Sequence, residues 1–144
     1  MTDAAKTVTV RVAHRFAAAP ERVFDAWLDP ERASRWLFAT PTGRMARAEI
    51  DPRVGGRFAF VDRRDGVDVE HVGEYVEIDR PRRLVFTFAV PMYSPLVTTV
   101  TIDIAPSGSG CELTLTHEGV LAEYAENTPK GWRMILDGLA SVVS

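Results

Sequence analysis

The sequence predicts an α+β protein: a curved antiparallel sheet of about seven strands wrapped around a long C-terminal helix, with two short helices after the first strand. Three patterns carry that reading. Apolar and polar residues alternate over 7–16 and again through most of 44–118. A helical period interrupts them over 17–37. The tail, 127–144, carries a single apolar stripe.

In TVTVRVAHRF (7–16), Val8, Val10, Val12, His14 and Phe16 share one face, and Thr9, Arg11 and Arg15 share the other, as in a half-buried strand. The next stretch, to residue 37, changes period. Pro20 suits a first helical position, Glu21 favours the dipole of the first turn, and Val23, Phe24, Trp27 and Leu28 form one stripe. Asp29-Pro30 ends that helix and opens a second, with Asp29 as its cap. Strands are expected near 44–50, 56–64, 67–78, 82–90, 96–105 and 111–118, broken by DPRVGG, RRDGV, DRPRR, VPMYSP and PSGSG. Asp65-Gly66 is a two-residue hairpin signal. Leu84, Phe86 and Phe88 share a dry face, as do Val100, Ile102 and Ile104, with threonines opposite. The strand over 67–78 changes parity, since Val69 and Tyr75 are odd-numbered while Val76 and Ile78 are even; a bulge or bend near Gly73 would reconcile them. In the tail, Thr128-Pro129 reads as a cap and first-turn proline, and Trp132, Ile135, Leu136, Leu139 and Val143 make the stripe that faces the sheet.

With 144 residues the chain fits one domain, 1–144. Its 17 basic and 20 acidic residues form no basic block, so neither nucleic acid nor a membrane is an expected partner. The single cysteine, Cys111, suits a reducing cytoplasm, as does the opening MTDAAKTVTV, which lacks a basic stretch followed by an apolar one. An exposed sheet edge leaves monomer and homodimer both open.

Gly55-Gly56 lead into the strand-like RFAF and not into a helix, so they read as a turn and not as a phosphate cradle. His14, His71 and His117 lack metal-ligand spacing, and with the first and last strands antiparallel His14 and His117 are expected ~20 Å apart, so neither metal nor cofactor is expected. Cys111 shares parity with Leu113 and Leu115 and reads as a buried thiol. Glu49 and Asp51 are expected on one strand face with Met45 and Arg47. If that face lined an interior space, Glu49 would be a weak candidate for acid–base chemistry, and His71 another; a solvated edge face and a hydrogen-bonded strand histidine are the plainer readings.

The segments APERVFDAWLDPERASRW (19–36), DPRVGGRF (51–58), GEYVEIDRPRRLVFTF (73–88), CELTLTHEG (111–119) and GWRMILDGLASVV (131–143) together resemble the SRPBCC superfamily, whose helix-grip fold is shared by START-type lipid-transfer and birch-pollen-allergen-like proteins. Within it the chain resembles the small bacterial single-domain members of the family named for the activator of heat-shock-protein-ninety ATPase. The resemblance implies a curved sheet that leaves a cavity beside the long helix, in a superfamily of lipid carriers, hormone receptors, cyclases and chaperone activators. On that fold the expected role is binding of a small hydrophobic or amphipathic ligand. Trp36, Phe58, Phe60, Tyr75, Phe88 and Trp132 would form walls, His71 or His117 would offer a hydrogen bond, and Met92 with Tyr93 would stand at the rim. A chaperone-partner module and a cyclase- or hydrolase-like enzyme remain the alternatives.

Overall fold

A computed structural model describes residues 6–37, 44–92 and 96–143. In chain order it has β1 (Thr7–Phe16), α1 (Pro20–Leu28), α2 (Pro30–Trp36), β2 (Arg44–Ile50), β3 (Arg57–Arg64), β4 (Val67–Asp79), β5 (Arg83–Phe88), β6 (Thr98–Ser107), β7 (Gly110–Leu121), a single 3₁₀ turn at Ala122–Tyr124, and α3 (Asn127–Val143). The described strands form one antiparallel sheet in the order β1-β7-β6-β5-β4-β3-β2. This is the helix-grip arrangement: hairpin neighbours from β2 to β7, closed by the first strand against the last.

Local chemistry places the elements. Pro20 starts α1, and the Asp29 side chain caps α2 by accepting from the Glu31 N–H at 3.0 Å. Replacing it as Asp29→Ala should cost about 0.5–2 kcal/mol in urea unfolding; a change smaller than a few tenths would mean that the cap contributes nothing. The β3–β4 turn is the expected tight hairpin, with Asp65 and Gly66 at φ 50° and 79°. The α3 helix begins at Asn127, two residues earlier than a cap at Thr128 implies, so Thr128 lies inside its first turn and not at its cap.

Bulges change which side chains face inward. The extra residue in β4 is Val76, between the pairs Tyr75↔Phe86 and Glu77↔Val85, three residues beyond the expected Gly73. It is exposed, and the parity change lets Tyr75 and Ile78 both turn toward the core. A second bulge, at Ala46, lies between Met45↔Asp62 and Arg47↔Val61. Met45, Ala48 and Ile50 therefore pack against the core while Arg47 and Glu49 point out, which corrects the expected shared face of Met45 and Glu49. A third bulge occupies Glu118–Gly119 of β7, opposite Thr9, with Gly119 at φ 83°.

The core is the space between the sheet's inner face and the helices. Trp132, Leu136, Leu139 and Val143 of α3 are buried there with Val10 and Val12 of β1 and Leu113 and Leu115 of β7. Gly55-Gly56 form the expected turn. The Gly55 N–H donates to the Tyr75 carbonyl at 2.8 Å, the Gly56 carbonyl accepts from the Tyr75 N–H at 2.9 Å, and a Cβ on Gly56 would lie 2.2 Å from the Asp51 carbonyl oxygen. The Gly55 N–H that a phosphate would need is already given to β4.

Candidate functional site

Where β5, β6 and β7 approach the start of α3, the inner face of the sheet opens into a groove of about 430 Å³. Phe88, Ala89 and Val90 form one wall and Leu96 and Thr98 the next. His117, Val120 and Leu121 of β7 form the third, and Tyr124 and Thr128 close the helix side. The bulge at Glu118–Gly119 builds this wall. Without the extra residue, His117 and Val120 would face opposite sides of β7; with it, both are buried on the inner side.

Beneath the groove lies a cluster of rings centred on Phe88. Its ring is stacked on His71 at 6.1 Å and 16°, edge-on to His117 at 5.7 Å, and tilted against Trp132 at 6.2 Å. A chain of hydrogen bonds joins three strands to the helix. Trp132 Nε1–H donates to His117 Nδ1 at 3.0 Å, His117 Nε2 meets Thr98 Oγ1 at 2.7 Å, and Thr98 Oγ1 donates to the Phe88 carbonyl at 2.9 Å. His71 Nδ1 lies 3.3 Å from the Phe60 carbonyl. Burial depresses both imidazoles to about 4, with Arg64 adding to the effect at His71, so both rings are neutral at physiological pH.

The expected site residues divide into three groups. Phe88 and His117 stand in the groove wall, and Trp132 and His71 support it from behind through the contacts above. Trp36, Phe58, Phe60 and Tyr75 belong to the packed core instead of the groove walls. Trp36 Nε1–H donates to the Ala26 carbonyl at 3.2 Å and its ring meets Trp27 edge-on at 4.6 Å. Phe58 touches Phe60, Tyr75 and Phe86 with centroids 5.5–5.9 Å apart. These rings fill their end of the interior so well that a void of only about 10 Å³ remains among Trp27, Phe58, Tyr75 and Phe86. Met92 is exposed and lies outside the groove lining, and Tyr93 falls outside the described residues.

Glu49 stands on the outer face, where the Arg47 guanidinium 2.7 Å away holds its carboxyl below the usual range. It borders a depression of about 480 Å³ that also holds the Arg57–Glu74 ion pair. A solvated, paired carboxylate is a poor proton acceptor at neutral pH. Register sets His117 opposite Val10 and His14 opposite Leu113, four positions along β1. The two histidines are thus ~13 Å apart along the strand and not ~20 Å. Among the described residues no group of three His, Cys, Asp or Glu is placed to hold a metal ion, and no helix is long and apolar enough to cross a membrane. Cys111 is buried, and burial pushes its thiol up.

Sequence reasoning did not single out Thr98, although its even number places it with Val100, Ile102 and Ile104 on the inner face of β6. Tyr124 and Thr128 carry no comparable signal, because their place in the wall depends on where the 3₁₀ turn packs.

A curved sheet gripping a helix, with an apolar opening at one end, defines the class: a helix-grip domain of the SRPBCC type. The particular branch follows from comparison with known proteins. Residues 17–144 match the model of the family described as Activator of Hsp90 ATPase homolog 1-like protein, and the chain belongs to that family. Protein CV1439 from Chromobacterium violaceum is 30% identical, with a TM-score of 0.86 over 94% of this chain and 96% of that one. The AHSA1-like protein from Aeromonas hydrophila has the same fold at 22% identity, with a TM-score of 0.83 over 94% and 92% of the two chains. A protein of unknown function from Staphylococcus aureus, SA2116, shares the fold at 17% identity, with a TM-score of 0.85 over 96% and 94%. No curated protein matches the sequence.

Proposed function

We propose that the protein binds a small hydrophobic or amphipathic molecule in the groove between β5, β6, β7 and the start of α3. The observation that supports this is the combination of size and lining. A space of about 430 Å³ is bounded by Phe88, Ala89, Val90, Leu96, Val120 and Leu121, with Thr98 and His117 as the inner polar groups. That is the size and mixture typical of sites for organic ligands. The rings behind it are held by the Trp132–His117–Thr98 hydrogen bonds, so the site is formed before a ligand arrives.

A ligand that binds only the folded state stabilises it by about 2.7 kcal/mol at a hundred times its Kd. Thermal melts against a set of lipids, fused-ring aromatics and polyketide-like compounds should therefore yield compounds that raise Tm by several degrees. Val90→Trp, which shares the inward parity of Phe88 and fills the groove from that wall, should remove the increase while leaving a cooperative melt. A set that produces no shift in the unmodified protein, or shifts that survive Val90→Trp, would overturn the reading. A chaperone partner suggested by the family's name would engage an outer surface, and its capture would be indifferent to Val90→Trp.

A further inference from the structure

The hydrogen bonds beneath the groove run in one direction. An indole N–H can only donate, so His117 Nδ1 is the acceptor and the imidazole proton sits on Nε2. That proton is given to Thr98 Oγ1, and the Thr98 hydroxyl in turn gives its own hydrogen to the Phe88 carbonyl. A hydroxyl has one hydrogen and two lone pairs. Thr98 has used the hydrogen and one lone pair, so what it has left for a ligand is the second lone pair. None of the described residues lining the groove is Lys, Arg, Asp or Glu. Tyr124 and Thr128 also carry hydroxyls, but Tyr124 is 42% exposed at the open side, where water competes for it.

We infer that this groove selects uncharged ligands that present a hydroxyl or N–H donor to Thr98 Oγ1, and that it discriminates against carboxylates of the same skeleton. The inference rests on the groove being a ligand site. A hydroxyl entering the groove completes the chain as its last donor. A methyl group in the same place leaves the lone pair unmet. A carboxylate sets oxygen against oxygen in an apolar space with no cation beside it, and burying an unpaired charge is costly.

The probes are 2-naphthol, 2-methylnaphthalene and 2-naphthoate, titrated at neutral pH by calorimetry. 2-Naphthol should bind roughly 3–10-fold more tightly than 2-methylnaphthalene, and at least ~10-fold more tightly than 2-naphthoate. Thr98→Ser keeps the hydroxyl and should keep this order. Thr98→Val removes the lone pair and frees His117 Nε2–H to face the groove, so the gap between naphthol and naphthoate should close. Thr98→Ser also serves as the test if Thr98→Val folds poorly. If 2-methylnaphthalene binds but naphthol gains nothing over it, or naphthoate binds as tightly as naphthol, the donor preference is wrong while the groove remains a ligand site. An unchanged gap in a folded Thr98→Val protein also overturns the preference. If none of the three binds, the donor preference is wrong, and the groove reading falls with it only if the lipids, fused-ring aromatics and polyketide-like compounds also give no shift.

Discussion

Between pH 6.5 and 4.5 the protein should lose stability steeply, by up to about 2.7 kcal/mol per pH unit, through His71 and His117. Their folded values near 4 lie below the ordinary 6.5, because burial disfavours the charged ring. In this window the unfolded chain binds a proton at each histidine and the folded protein does not, so stability rises with pH. The contribution is complete above 6.5 and is lost as pH falls toward 4. A 2.5-unit depression is worth about 3 kcal/mol for each ring. Together the two rings approach the whole stability of an ordinary domain. The charged neighbours of His71 are Arg64, which lowers its value further, and Asp62, which partly offsets that; burial alone acts on His117. Asp25, Glu49 and Asp68, held low by their arginine partners, lose their contribution only as pH falls below their unfolded values of 3.8–4.5, so the window isolates the histidines. Urea unfolding at half-unit intervals measures the slope. A flat profile from 6.5 to 4.5 would show that the rings are hydrated or already charged in the fold.

Gly73→Ala should be among the most damaging single substitutions, costing more than ~3 kcal/mol. A Cβ at this position would lie 1.9 Å from the Thr87 carbonyl oxygen and 2.4 Å from the Phe58 ring. The carbonyl belongs to β5, and the ring is wedged among Phe60, Tyr75 and Phe86, so neither can retreat without opening the sheet or the core. Phe58 pairs across the strands with Gly73, and its ring covers the backbone that the glycine leaves bare. A Gly73→Ala protein whose urea midpoint stays within about 1 kcal/mol of the parent would mean that β4 and β5 can separate here at little cost.

Most of the fold was legible because its signals are periodic. The alternation of Val10, Val12 and Phe16, the stripe of Trp132, Leu136 and Leu139, and the turn chemistry of Asp65-Gly66 each point to a single local structure. The bulges were less legible. The parity change within β4 called for one, although it lies at Val76 and not at Gly73. Those at Ala46 and Glu118–Gly119 were not foreseen, because an extra residue is defined by the register of the partner strand. One such residue, Ala46, was enough to part Met45 from Glu49, which stands in a solvated ion pair as the plainer reading had it. In the site, parity alone places Phe88 and His117 inward. It also places Phe58, Phe60 and Tyr75 inward, and it cannot tell a core from a cavity, because that depends on how completely facing side chains fill the space between them. Thr98 was accessible by the same rule. The direction of its hydrogen bonds required the meeting of α3, β5, β6 and β7.

The closure of β1 against β7 has a consequence for how the chain is made. Val12 lies beside Leu115, about a hundred residues further along, whereas each strand from β3 to β7 begins within about ten residues of the end of the one before it. During synthesis, which proceeds from the N-terminus, β1 has no ladder partner until residues 110–121 have followed. Through that interval Val10, Val12 and Phe16 form an apolar strand without its sheet, the kind of segment that chaperones hold. β7 supplies the shelter for β1, and the bulge in that same strand shapes the groove.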